Sequence, residues 1–158
     1  MKMPPVLESR IAVQYAAPRA GVPAAASLRR WAEAALAAHP GDVTLRVVGQ
    51  DEGAALNKRY RGRNTATNVL SFPAALLPDG TCPIRGDLVL CAPVIAREVR
   101  EQDKTASAHW AHMVVHGCLH LCGHDHAQDA EAAEMEDEER RILATLGYPD
   151  PYHEQEIV

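Results

Sequence analysis

No stretch of this chain approaches the ~20 apolar residues that a membrane span requires. The segment from Met1 to Arg10, which carries Lys2, Glu8 and Arg10, has no apolar run of signal-peptide length. A cytoplasmic protein without a membrane partner is therefore expected. Four cysteines in 158 residues suit a reduced compartment and imply no disulfide framework. Cys82 and Cys91 stand apart, without the paired close spacing of a zinc ribbon. There is no internal repeat and no low-complexity linker. Positive charge is also short: the net charge is −5. That is a mild objection to a nucleic-acid role, because phosphate affinity is normally supplied by excess Lys and Arg. Distribution answers it in part. Lys58, Arg59, Arg61 and Arg63 form one basic stretch, while Glu131, Glu134, Glu136, Asp137, Glu138 and Glu139 load another with the opposite sign. The acidic run is read as a solvated helix face.

What is present is core material: 47% of the residues are hydrophobic, enough for one domain spanning residues 1–158. Weak alternation marks a first strand over Ile11 to Tyr15. Leu28, Trp31, Ala35 and Leu36 recur at helical spacing within 24–39, which Pro40-Gly41 terminates. Alternation from Val43 to Val48 predicts a strand, and Gln50 to Tyr60 returns to a helical composition before Arg61-Gly62-Arg63-Asn64 breaks it. Short strands follow at Asn68 to Pro73 and Gly86 to Cys91. Helices are expected from Pro93 to about Gln102, from about Thr105 to Cys122, and from about Asp129 to Leu146. Gly147 and Pro149 close the last one. The tail after about 151 is expected to be loose. Strands separated by helices, then helices alone, predict an α+β fold: a small mixed sheet of about four strands packed with about five helices. Strand order is not readable.

Chemistry concentrates between His116 and His126, where four of the eight histidines fall within eleven residues. On an α-helix a step of four residues rises about 6 Å and overshoots one turn by about 40°. His116 and His120 therefore project from one face, a turn apart, and can meet one ion. His112 lies roughly 12 Å of axis from His120 on a straight helix, too far to share an ion that wants nitrogen at about 2.0–2.1 Å. The chain must turn back to supply a third ligand. Gly123 can end the helix in a left-handed conformation, and His126, just beyond, is the favoured third ligand. Three protein ligands leave one position for water, the open geometry of catalytic zinc.

Two rivals are weaker. Cys118 and Cys122 each lie two residues, or about 200° around the helix, from a ligand histidine, so their sulfurs face away and read as small buried hydrophobes. The histidine and glycine spacing also matches metzincin peptidases, but Gly117 stands where those enzymes carry a general-base glutamate.

His109-Trp110-Ala111-His112 leads into the His116 to His126 segment, and a second motif combines Tyr60-Arg61-Gly62 with Thr67-Asn68-Val69-Leu70-Ser71-Phe72-Pro73. Gly86-Asp87-Leu88-Val89 and the stretch from Glu134-Met135-Glu136 to Tyr148 accompany them. Together these residues, spanning about Val43 to Tyr152, resemble the bacterial YbeY family. Its members are zinc-dependent endoribonucleases linked to ribosomal RNA maturation and ribosome quality control. The resemblance implies a single-strand-preferring endoribonuclease acting with the small ribosomal subunit. It places one zinc ion per chain on His116, His120 and His126, the trio that spacing alone selects, and a functional arginine at Arg61. A guanidinium suits phosphodiester chemistry because its planar fork binds phosphate bidentately. Zinc would lower the pKa of its water towards about 7, and Arg61 would stabilise the charge added at phosphorus. Asp125, His124 or the metal hydroxide are the candidates for general base, and Asp125 is equally a candidate for orienting a ligand ring. His124 departs from the tyrosine common at that position. His109 is less informative, His112 is open between a role around the metal and a role as a satisfied helix residue, and Trp110 reads as core. The alternatives are a minimal metallopeptidase and a ribosome-assembly binding factor whose zinc is mainly structural.

Overall fold

Burial alternates along Asp42–Val48: Val43, Leu45 and Val47 are buried while Thr44 and Arg46 are half-exposed, the period of two expected of a strand with one face in a core. The computed structural model describes residues 9–74, 84–124 and 127–152. Four strands and five helices alternate as β1 (Ile11–Ala16), α1 (Ala25–Leu36), β2 (Asp42–Val48), α2 (Gln50–Arg61), β3 (Val69–Pro73), β4 (Ile84–Cys91), α3 (Ala92–Glu101), α4 (Ala106–Leu121) and α5 (Asp129–Thr145). The expected α+β fold, a small mixed sheet with five helices, is what forms. The sheet order is β1-β2-β4-β3; β1, β2 and β4 run parallel and β3 lies antiparallel on the edge.

β4 starts at Ile84, earlier than alternation predicts, because a bulge shifts its register. Asp42 pairs with Ile84 but Val43 pairs with Gly86, leaving Arg85 between them. Gly86 has φ 134°, and a Cβ there would lie 2.1 Å from the Phe72 carbonyl oxygen, so only glycine fits.

One face of the sheet, with Leu45, Val47, Leu88 and Leu90, packs against Leu28, Trp31 and Leu36 of α1 and Trp110, Val114 and Cys118 of α4. Trp110 is accordingly core. The opposite face carries a smaller cluster of Val48, Leu70, Val89, Cys91 and Val94, partly covered by Leu56 of α2 and by Phe72. Helix α4 comes unusually close to the sheet: a Cβ at Gly117 would stand 2.2 Å from Leu88 Cδ1. The Ser71 hydroxyl of β3 donates to the Gly117 carbonyl at 3.2 Å, which ties the edge strand to the middle of α4. Among the described residues no helix is long and apolar enough to cross a membrane.

Two readings of the C-terminal third need correction. Glu139, placed in a solvated acidic face, is completely buried. Tyr152, placed in a loose tail, is half-buried and donates its hydroxyl proton to Glu139; residues 153–158 lie outside the described residues.

Candidate metal centre

Helix α4 carries four histidines along one side: His109, His112, His116 and His120, with successive ring centroids 6.3, 6.1 and 4.7 Å apart. Thr105 starts the helix by accepting the Ala108 N–H at 3.2 Å. Its other end closes in a Schellman turn: Gly123, at φ 98°, donates to the His120 carbonyl and His124 N–H donates to the Leu119 carbonyl, each at 3.0 Å. Gly123 thus ends the helix in the left-handed conformation expected of it. Asp125 and His126, the candidate base and third ligand, lie outside the described residues.

The turn also orients a ring. His120 Nδ1 donates to the His124 carbonyl at 3.1 Å, and His116 Nδ1 donates to the buried Glu139 carboxylate. A neutral imidazole with its Nδ1–H so engaged presents Nε2 as a lone-pair atom. The two Nε2 atoms face each other at 3.2 Å. At that distance the two nitrogens share a proton or a cation. Two nitrogens bound tetrahedrally at about 2.0–2.1 Å stand about 3.3 Å apart, so the pair fits a zinc-sized ion. Each Nδ1 has the carbonyl or carboxylate partner that fixes tautomer and ring plane in histidine-ligated sites.

A second set of ligating atoms, from His112, His116 and Glu139, lies within 4.8 Å of one another and could also hold a metal ion. Here the gaps are bridged by direct hydrogen bonds. Glu139 accepts from His116 Nδ1, from His112 Nε2 at 3.4 Å and from the Tyr152 hydroxyl, while His112 Nε2 also lies 3.2 Å from that hydroxyl. Burial raises the Glu139 carboxyl, but the bonds from His112, His116 and Tyr152 outweigh it and bring its pKa down to about 2. Burial and the Glu139 charge push the Tyr152 phenol up. Glu139 is therefore an anion held in place by three donors. Its helical phase shows in the sequence: Met135 lies one turn before it and Ile142 and Leu143 follow, so a carboxylate sits on the apolar stripe of α5.

His109 serves a different network. Its Nε2 donates to Glu98 Oε1 of α3 at 3.0 Å. Burial lowers its pKa against the opposing pull of Glu98, so the ring is neutral near pH 7. Glu98 also accepts from Asn68 Nδ2 at 3.1 and 3.2 Å, which anchors the segment before β3. Cys118 is buried in the core and Cys122 turns its sulfur towards the His39 carbonyl, 4.0 Å away. Neither sulfur joins the imidazole pair.

His124 meets His120 through its backbone carbonyl, a contact that any residue could supply. Its side chain lines a surface groove with Gly123, Glu131 and Glu134. Arg61 is the exposed last residue of α2. It is joined to the metal centre through the chain that follows it: residues 62–68 lead into β3, whose Ser71 holds Gly117, next to His116.

The profile of the family described as "Endoribonuclease YbeY" matches residues 20–147. A Stenotrophomonas maltophilia (strain K279a) protein named Endoribonuclease YbeY is 56% identical over 148 residues, covering 90% of this chain and 92% of that protein. One from Stutzerimonas stutzeri (strain A1501) with the same name is 57% identical over 136 residues, 84% of each chain. The fold matches a Thermotoga maritima protein solved in solution, with a TM-score of 0.56 at 22% identity over 92% of this chain and 99% of that one. Histidine spacing, the turn that follows it and near-full-length relatives sharing over half their residues all agree, and the chain belongs to the YbeY family.

Proposed function

We propose that this chain acts as one metal-dependent endoribonuclease domain that cleaves single-stranded RNA, in the cytoplasm and on ribosomal RNA of the small subunit. The observation that carries the metal dependence is the pair of Nε2 atoms 3.2 Å apart, each ring fixed through its Nδ1. The names of the relatives support the endoribonuclease reading. One zinc ion per chain would be held by His116, His120 and His126. His126 is supported by its sequence position, three residues beyond the Gly123 turn.

Bound there, zinc supplies Lewis acidity and a nucleophile competent at neutral pH. Glu139 and the His124 carbonyl hold the two helical imidazoles in the tautomer that ligation needs. Arg61 binds the scissile or neighbouring phosphate through its fork and stays charged as negative charge accumulates. Asp125 and His124 are the side chains positioned by sequence to take or return a proton.

Peptide hydrolysis by the metzincin route is disfavoured by packing. The glutamate of that route would have to occupy position 117, where even a Cβ would stand 2.2 Å from Leu88.

The test is cleavage of end-labelled single-stranded RNA, with an unstructured protein substrate in parallel. Measurements are made before chelation, after it, and after zinc repletion. The expected result is RNA cleavage that is lost with the metal and returns with it, while the protein substrate stays intact. Arg61→Ala should retain zinc and cleave at least about tenfold more slowly, with Arg61→Lys intermediate because it keeps charge but loses the fork. RNA cleavage indifferent to chelation would overturn the proposal, as would proteolysis.

A further inference from the structure

Tyr60 belongs to a motif whose arginine has a role while its aromatic residue has none. It is also, with Ile84, one of the two large hydrophobic residues exposed among those described, at 56% of its surface. It stands on the last turn of α2, where its ring meets Phe72 of β3 edge to face, with centroids 5.1 Å apart. The Arg59 guanidinium lies 5.4 Å from the Tyr60 ring centre. Beneath the pair a groove of 380 Å³ runs across the less-covered sheet face, floored by Gln14, Arg46, Asp87 and Val89 of three strands and walled by Glu52 and Leu56. Arg46 is already neutralised by two hydrogen bonds to Glu52, at 2.6 and 2.9 Å.

The rim is basic. Lys58, Arg59, Arg61 and Arg63 are all exposed with no acidic residue among 57–63, on a chain of net charge −5. The rim is also preorganised. Gly62 caps α2 in the left-handed conformation at φ 69°, and the fully buried Asn57 donates from Nδ2 to the Thr65 carbonyl at 2.6 Å. Little backbone ordering cost is then left for a ligand. A largely exposed aromatic ring amid cations, beside a groove with polar floor groups, is the arrangement that binds an unpaired base and its phosphates.

We infer that Tyr60, backed by Phe72, is the stacking platform for an unpaired base of the RNA substrate, with the neighbouring phosphates held by the basic rim. The inference rests on the endoribonuclease reading and adds to it the residue that makes the enzyme prefer single strands, since a paired base has no free face to offer. Geometry connects the platform to the metal centre. Phe72 and Ser71 are consecutive on the edge strand β3 and so point to opposite faces, one to Tyr60 and the other to the Gly117 carbonyl beside His116. A polynucleotide reaches both by wrapping a single sheet edge.

The experiment uses the zinc-loaded protein and a fluorescein-labelled ten-nucleotide 2′-O-methyl phosphorothioate RNA, which resists cleavage, presented single-stranded and as a duplex. Tyr60→Ala should raise the single-strand Kd about tenfold or more and leave zinc content and the duplex Kd unchanged. Tyr60→Phe should keep the parent affinity. Tyr60→Trp should bind and show indole fluorescence quenched by the single strand, because Trp31 and Trp110 are buried and respond little. Equal single-strand affinity of parent and Tyr60→Ala, or unquenched Tyr60→Trp in a complex that forms, would overturn the platform while leaving the nuclease reading intact. A parent protein that binds neither form would overturn both.

Discussion

Glu139 is the buried partner of His116 and the residue that composition hides best. Surrounded in sequence by five other acids, it reads as solvated, yet it is wholly enclosed and accepts from two histidines and a tyrosine. The clue lies in phase: residues 135, 139, 142 and 143 share one face of α5, and three of them are apolar. A carboxylate on such a stripe has a partner or would not be charged. On the proposed site it orients His116, so Glu139→Gln, which keeps volume but loses the second acceptor oxygen and the charge, should weaken zinc affinity about 10–100-fold. A competitive-chelator titration measures this. Affinity equal to the parent would mean that His116 is held by packing alone.

At the scale of elements, α4 was legible from the spacing of its histidines, its Thr105 start and the Gly123 stop, because each is a local signal. The reason for Gly117 was not. Sequence shows a missing glutamate, whereas the structure shows a helix backbone pressed on Leu88 of β4, a long-range contact that no local pattern announces. Gly117→Ala gains helix propensity but forces Leu88 or the helix to move. We expect net destabilisation of about 1–3 kcal/mol, read from urea denaturation. Leu88→Ala in the same chain should relieve part of that cost, so the double variant should be less than additive. Additive losses would place the strain elsewhere. The bulge at Arg85 escaped the sequence for a similar reason: it is set by cross-strand register between β2 and β4.

For the whole molecule, the number and type of elements followed from periodicity, while the order β1-β2-β4-β3 could not, because pairing of distant strands is encoded in shape complementarity and not in any one segment. The pairing bears on the proposed function. By placing β3 on the edge, antiparallel to β4, it sets the basic turn after α2 and the metal end of α4 on either side of one short strand. The two motifs of the sequence, separated by some forty residues, are brought to that edge. On the proposed site the ion sits at the end of α4 on His116 and His120, not among His112, His116 and Glu139. Zinc affinity of His120→Ala compared with His112→Ala tests it most directly. His120→Ala should lose tight binding while His112→Ala retains one equivalent, weakened by no more than the about 10–100-fold of an outer group. Tight binding retained by His120→Ala and abolished by His112→Ala would contradict it.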